Sequence, residues 1–211
     1  MSGAATLLLA RHGRTAHNQQ GLIQGRSVVP LDELGQMQAR QLAEHIAALP
    51  NPPSNIWSSD LLRAEQTAGA VAALLKLEIR PDARLREQDF GDYEGRSLNE
   101  LLAENADFER AWMQDFSLLH PPGGESFADT AARMLAWFAD ARPRQAGEVV
   151  LAVSHGISLT ALLCALTNVT PRDAMAQGLF RHANAAYTAL TLDTESGRVL
   201  DYSAVQSGHL D

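Results

Sequence analysis

The sequence predicts an α/β fold, a mostly parallel, mixed sheet flanked by helices on both faces, with a helical insertion over roughly residues 97–145. Three observations predict it. Short apolar runs alternate along the chain with stretches of helical spacing. Two of those runs, TLLLA at 6–10 and EVVLAVS at 148–154, read as buried strands. The chain closes on AYTALTLD and RVLDYSAV, which flank Glu195-Ser196-Gly197 as a hairpin and make the sheet mixed.

The elements follow in order. Residues 6–10 form a strand that opens onto Arg11-His12-Gly13. Residues 11–34, rich in Gly, Gln and Asn, read as a loop. Ala39, Leu42, Ala43, Ile46 and Leu49 are spaced as one helical face, and Pro50 ends that helix. NIWS at 55–58 is a second strand, and Ser58, Ser59 and Asp60 are capping candidates for the helix that follows. Its face is Leu61, Ala64, Ala68, Val71 and Leu75. LEIR at 77–80 is a third strand, and 84–96 is a glycine-punctuated loop. Residues 97–116 are irregularly helical and PPGG at 121–124 breaks them. Ser126 and Asp129 fit a capping box before a helix with Phe127, Ala131, Met134, Leu135 and Phe138 on one side. The strand at 148–154 runs into His155-Gly156 and an apolar helix to about residue 167.

The length of 211 residues suits one domain spanning 1–211, and no repeat or linker divides it. Apolar residues at 45% and charged residues at 20% are those of a globular chain. A net charge of −8 disfavours extended nucleic-acid contact, although a local arginine cluster still suits a small anion. Cys164, alone in its type, lies in the run LLCAL and reads as a core residue. No stretch has membrane-spanning length and no signal segment precedes the first strand, so a cytoplasmic location is expected.

Ligands of open α/β sheets bind beyond the carboxyl ends of the strands. His12 and His155 occupy that position, each followed by glycine, which lets a ligand approach the backbone. Arg63 falls in the first turn of the helix after the second strand, where free amides and the dipole favour anions. An arginine there adds a bidentate grip on phosphate oxygens.

These pieces together resemble the histidine phosphatase superfamily, also called phosphoglycerate-mutase-like. The resemblance is carried by Leu9-Ala10-Arg11-His12-Gly13-Arg14-Thr15 with Asn18, Gln24-Gly25, Pro30-Leu31, and Gly35 with Gln38-Ala39. It continues through Ser58-Ser59-Asp60-Leu61, Arg63-Ala64, Gln66-Thr67-Ala68, Leu85, Glu87, Phe90-Gly91 and Glu94-Gly95. It ends in Gly123-Gly124-Glu125-Ser126 and Val153-Ser154-His155-Gly156. The family often places an acid where Val28 stands here, off the catalytic set.

The resemblance implies a phosphatase of small phosphorylated metabolites that works without metal or cofactor, either broad in specificity or similar to alpha-ribazole phosphatases. It implies that His12 is the nucleophile, Glu87 the general acid, and Arg11, Arg63 and a protonated His155 the phosphate clamp. Asn18, Gln24, Gly25 and the Gly156 amide are further phosphate-binding candidates. Asp89 and Glu94 are alternative acids by proximity. A neutral imidazole attacks phosphorus only if its other nitrogen donates to a fixed acceptor, for which a backbone carbonyl of the next loop is expected. Sugar phosphates, phosphoglycerate-like acids and ribazole phosphate are the substrates the resemblance suggests.

Three rivals are distinguishable. A serine hydrolase would use Ser154, but the nucleophile elbow requires glycine where Ala152 stands. A cofactor-dependent phosphoglycerate mutase needs a second anion site, for which Arg14, Arg26, Arg84, Arg86 and Arg96 are the available cations. A non-catalytic phospho-ligand binding protein would keep the fold and lose catalytic positions, all of which are filled here. Among the remaining histidines, His45 is expected to be solvated and His209 inert, with His17 and His182 polar loop residues near the mouth and His120 on a mobile segment. They lack the spacing of a metal motif. Trp57, Trp112 and Trp137 are expected in core or lid packing.

Overall fold

The computed structural model describes residues 3–210. Its sheet has strands β1 (Ala4–Arg11), β2 (Asn55–Ser58), β3 (Ile79–Pro81), β4 (Val149–Ser154), β5 (Tyr187–Asp193) and β6 (Val199–Tyr202). They lie in the order β3-β2-β4-β1-β5-β6. The first four are mutually parallel and the last two antiparallel, the mixed sheet expected from the closing hairpin. No helix among the described residues is long and apolar enough to cross a membrane.

Both sheet faces are covered, which is why β1 and β4 read as continuous apolar runs. On one face Leu8, Ala10, Leu151 and Val153 pack against α2 (Glu33–Ala47) and α3 (Leu62–Leu75) through Leu42, Ile46, Ala64 and Val71. On the other, Leu7, Leu9, Val150 and Ala152 meet α6 (Phe127–Ala141) and α7 (Gly156–Thr167). The helices that follow β1 and β2 thus lie opposite those that precede and follow β4. The β1–β4 boundary is where the winding changes side, the position at which α/β sheets open a crevice. Arg11 pairs with Ser154 in the parallel register, so His12 and His155 emerge side by side.

Several expectations need correction. The loop at 11–34 contains a short helix, α1 (Ala16–Gln20), capped reciprocally by Thr15 and Asn18. Helices α4 (Leu98–Glu104) and α5 (Ala106–Gln114) and the turn after them pack with Ile23, Phe90, Phe127 and Ile157 in a separate cluster around Leu101, Phe108 and Leu119. Helix α6 belongs to the main core through Met134, Trp137 and Phe138, whereas Leu135 faces outward. Helix α3 starts at N-cap Leu61 without a side-chain cap, because Asp60 pairs with Arg86 and Ser59 is taken by the site. A further helix, α8 (Pro171–Ala176), lies in a stretch left unassigned by the pattern, although Thr170-Pro171 is a cap followed by proline at N1. His45 is not free in solvent: it shares a 2.8 Å hydrogen bond with the Tyr187 hydroxyl and stacks on His209. His209 in turn bonds the Ala185 carbonyl, so it too has a structural partner. Cys164 is buried in the main core, and burial pushes its thiol up to about 11.

Candidate active site

His12 leaves β1 and is buried. Its backbone N–H donates to the Ser154 carbonyl at 3.0 Å, which ties the end of β1 to the end of β4. Its Nδ1 lies 2.7 Å from the Gly13 carbonyl oxygen. A carbonyl only accepts, so Nδ1 carries the proton and Nε2 holds the lone pair. Nε2 accepts from Arg63 Nε at 3.3 Å, a long and therefore weak bond. Gly13 has no room for a side chain: a Cβ there would lie 2.5 Å from the Gly35 carbonyl oxygen, so the two glycines let the loop and α2 meet backbone to backbone.

Arg63, in the first turn of α3, is also buried. Its guanidinium donates to the Gly25 carbonyl at 2.7 Å and the Ser27 carbonyl at 3.0 Å, which fixes the 25–27 loop beside His12. Burial lowers Arg63 to about 10, so it stays cationic at neutral pH. Arg11 donates from Nη1 to the His182 carbonyl at 2.8 Å. Its buried Nε has no partner among the described residues.

His155 caps α7 and is fully buried, its ring centroid 5.1 Å from that of His12. Nε2 lies 2.8 Å from Ser59 Oγ, and Nδ1 is buried without a partner among the described residues. Arg11, His12, Asn18, Gln24, Arg63 and Glu87 border the cavity in front of His12. Burial first, then the charges of Arg63 and neighbouring groups, hold both imidazoles well below the ordinary value of 6.5. Burial therefore favours the neutral His155 ring in the free protein.

Glu87 stands on the N-terminus of α7. Oε1 accepts from the Ser158 amide at 2.9 Å and hydroxyl at 3.0 Å, and from the Gln88 amide. Among the described residues Oε2 accepts only from the Ile157 amide, at 3.2 Å. A Cβ on Gly156 would sit 3.9 Å from Oε2 and 3.8 Å from the Arg11 guanidinium, so that glycine keeps the space between them open. As the first residue of α7, Gly156 has an amide with no intrahelical acceptor. Arg133 of α6 fastens the Glu87 segment by donating to the carbonyls of Arg84, Arg86 and Glu87 while pairing with Glu125.

Asn18 and Gln24 border the cavity, but part of each side chain is committed. Asn18 Oδ1 accepts from Thr15 and from Asn184 Nδ2, and Gln24 Oε1 accepts from Thr15 Oγ1. Gly25 contributes its carbonyl to Arg63. The alternative acids are structural: Asp89 pairs with Arg26, and Glu94 accepts from the Arg26 amide and Ser27 hydroxyl. Ser154 donates its hydroxyl proton to the Leu85 carbonyl at 2.7 Å and borders neither cavity at the site, so it is not placed to act as a nucleophile. Sequence patterns missed Ser59, Arg133, Asn184 and the His182 carbonyl. His182 is buried, its ring held by Phe180 and Thr188, and burial lowers it to about 4.

The buried histidines give the stability a pH dependence. Unfolded imidazoles gain protons below about 6.5, whereas His12, His155 and His182 stay neutral when folded, so unfolding takes up protons in acid. Stability falls as pH drops from 7 to 5, with a slope approaching about 1.4 kcal/mol per pH unit for each such histidine. Urea midpoints across that range measure it, and a flat profile would contradict the burial of neutral rings.

Comparison with known proteins agrees with this geometry. Residues 7–204 match the family model of the histidine phosphatase superfamily (branch 1). A relative in Yersinia enterocolitica, named a probable phosphoglycerate mutase GpmB, is 32% identical over 209 residues, covering 97% of this chain and 94% of its own. A mycobacterial glucosyl-3-phosphoglycerate phosphatase solved in complex with VO3 is 33% identical with a TM-score of 0.81, covering 94% of this chain and 97% of that one. Bacillus stearothermophilus YhfR is 30% identical with a TM-score of 0.84, covering 98% of this chain and all of its own. With its histidine pair at the β1–β4 crevice and the family match over nearly its whole length, the chain belongs to the histidine phosphatase superfamily and is a phosphatase-type enzyme.

Proposed function

We propose that the protein is a phosphomonoesterase that passes the phosphoryl group of a small phosphorylated metabolite to water through a phosphohistidine on His12. The observation that carries this reading is the His12 tautomer. With Nδ1–H held by Gly13, the Nε2 lone pair is presented between Arg63 and the cavity. Phosphoryl transfer asks the protein mainly for positioning and charge stabilisation. The guanidiniums of Arg11 and Arg63 supply positive charge to the equatorial oxygens. Arg11 Nε and His155 Nδ1, buried without partners, are satisfied by phosphate oxygens. Ser59 Oγ accepts from the Leu61 amide, and by giving its own proton to His155 Nε2 it would put the ring proton on Nδ1. Neutral His155 thus donates a hydrogen bond to the incoming anion. Asn18, Gln24 and the Gly156 amide offer their remaining donors.

In the first step the P–O bond to the alcohol breaks as Nε2 bonds phosphorus, and protonated Glu87 delivers its proton to the leaving oxygen. In the second, Glu87 takes a proton from water, whose oxygen attacks phosphorus and frees Nε2. Oε2, with its single donor, is the oxygen that carries the proton.

The mutase names of some relatives keep a second reading in view. It requires free cations to hold a second anionic group. Arg14, Arg26, Arg84, Arg86 and Arg96 each pair with a carboxylate, at 2.6–3.1 Å. Phosphatase activity is therefore expected to dominate: incubation with 3-phosphoglycerate releases inorganic phosphate faster than it forms 2-phosphoglycerate. A faster isomerisation, followed by phosphorus NMR, would transfer the protein to the mutases.

A further inference from the structure

We propose that the alcohol half of the substrate is a bulky, mainly apolar, ring-bearing group, so that the preferred substrate is the phosphate monoester of an aromatic alcohol rather than of a sugar or a three-carbon acid. This specifies the substrate class of the phosphatase reading above and rests on it. Two cavities meet at the site and share Arg11, Glu87, Trp112 and Ile157. The smaller, about 210 Å³, holds His12 and Arg63 and takes the phosphate. In-line displacement puts the leaving oxygen opposite the nucleophile, on the side of the acid that protonates it. That side opens into the larger cavity, about 510 Å³, which His12 and Arg63 do not border. The leaving group enters there.

The walls of this chamber state what it accepts. Trp112, Phe116, Ile157, Met175, Leu179 and Phe180 surround it with aromatic, thioether and aliphatic surface. Its volume lies in the range that encloses ligands of roughly 300–1,000 Å³ sites, far beyond the need of a three-carbon acid. The polar side chains that border it are already used. Thr160 Oγ1 bonds the carbonyls of Gly156 and Phe180. The His182 ring is held between Phe180 and Thr188. Beyond Arg11 and Glu87, the one cationic side chain without an ion pair along it, among the described residues, is exposed Arg181 at the rim. Sugar hydroxyls would meet side chains that are largely committed, apart from Arg11, Glu87 and Arg181, whereas an aromatic ring would gain contact with Trp112, Phe116 and Phe180.

The test measures kcat/KM of the whole protein for 2-phenylethyl phosphate and glycerol 3-phosphate, both esters of primary alcohols that need protonation. The aromatic ester is expected to lead by about 10²-fold or more. Leu179→Asn, checked for folding by circular dichroism, is expected to reduce that ratio about 10-fold. A ratio near or below one, with phosphoenzyme still formed, overturns the inference and leaves the phosphatase reading standing. A ratio unmoved by Leu179→Asn, or by Met175→Gln should the first variant not fold, overturns the assignment of the chamber. If neither ester yields phosphate or phosphoenzyme, the phosphatase reading itself fails.

Discussion

Replacing His12 with alanine is expected to reduce turnover by about 10⁴-fold or more and to abolish any acid-labile phosphoenzyme. No neighbour can stand in for it. The His155 ring lies 5.1 Å away between ring centroids, tilted 56° to His12 with its Nε2 on Ser59, and Ser154 is tied to Leu85. The fold is expected to survive, since the removed ring makes only two polar bonds, one of them long. Loss of a neutral buried histidine also removes part of the acid sensitivity. The variant leaves a hole of imidazole shape beside Arg63, so added imidazole should restore a measurable fraction of the rate. Rapid acid-free quenching with labelled substrate checks the intermediate, and wild-type turnover in His12→Ala would end the proposal.

Much of this site was legible because its chemistry sits at the ends of strands whose burial makes them obvious. TLLLA and VVLAVS are apolar throughout, and His12 and His155 follow them directly. Family motifs then selected Arg63 and Glu87. The supporting groups were hidden because pattern reading resolves neighbours a few positions apart. Ser59 reaches His155 across 96 residues, Asn184 reaches the His12 carbonyl across 172, and Arg133 reaches Glu87 across 46. Charge pairing was equally hidden: five arginines looked available for a second anion, and folding commits each to an acid. The burial of His155, which favours its neutral form, is hidden for a related reason, since it follows from tertiary packing around β4. Thr170-Pro171, by contrast, is a local signal for α8, a cap followed by proline at N1.

Glu87→Gln separates the acid from the scaffold. Glutamine keeps the shape, and its amide oxygen can still accept from Ser158 and Gln88, so the loop fastened by Arg133 is expected to remain in place. It cannot deliver a proton. An alkyl phosphate, whose alkoxide is a poor leaving group, should lose about 10²- to 10⁴-fold in its first turnover. p-Nitrophenyl phosphate departs as a stabilised phenolate and should lose far less in that step. Its later turnovers slow, because the same residue removes the proton from the attacking water. The variant should therefore release about one equivalent of nitrophenol in a burst and accumulate phosphohistidine. Stopped-flow absorbance and mass spectrometry of the trapped protein read both. Equal slowing of the first turnover for the two esters would leave Glu87 as a positioning group only, and the proton would have to come from elsewhere.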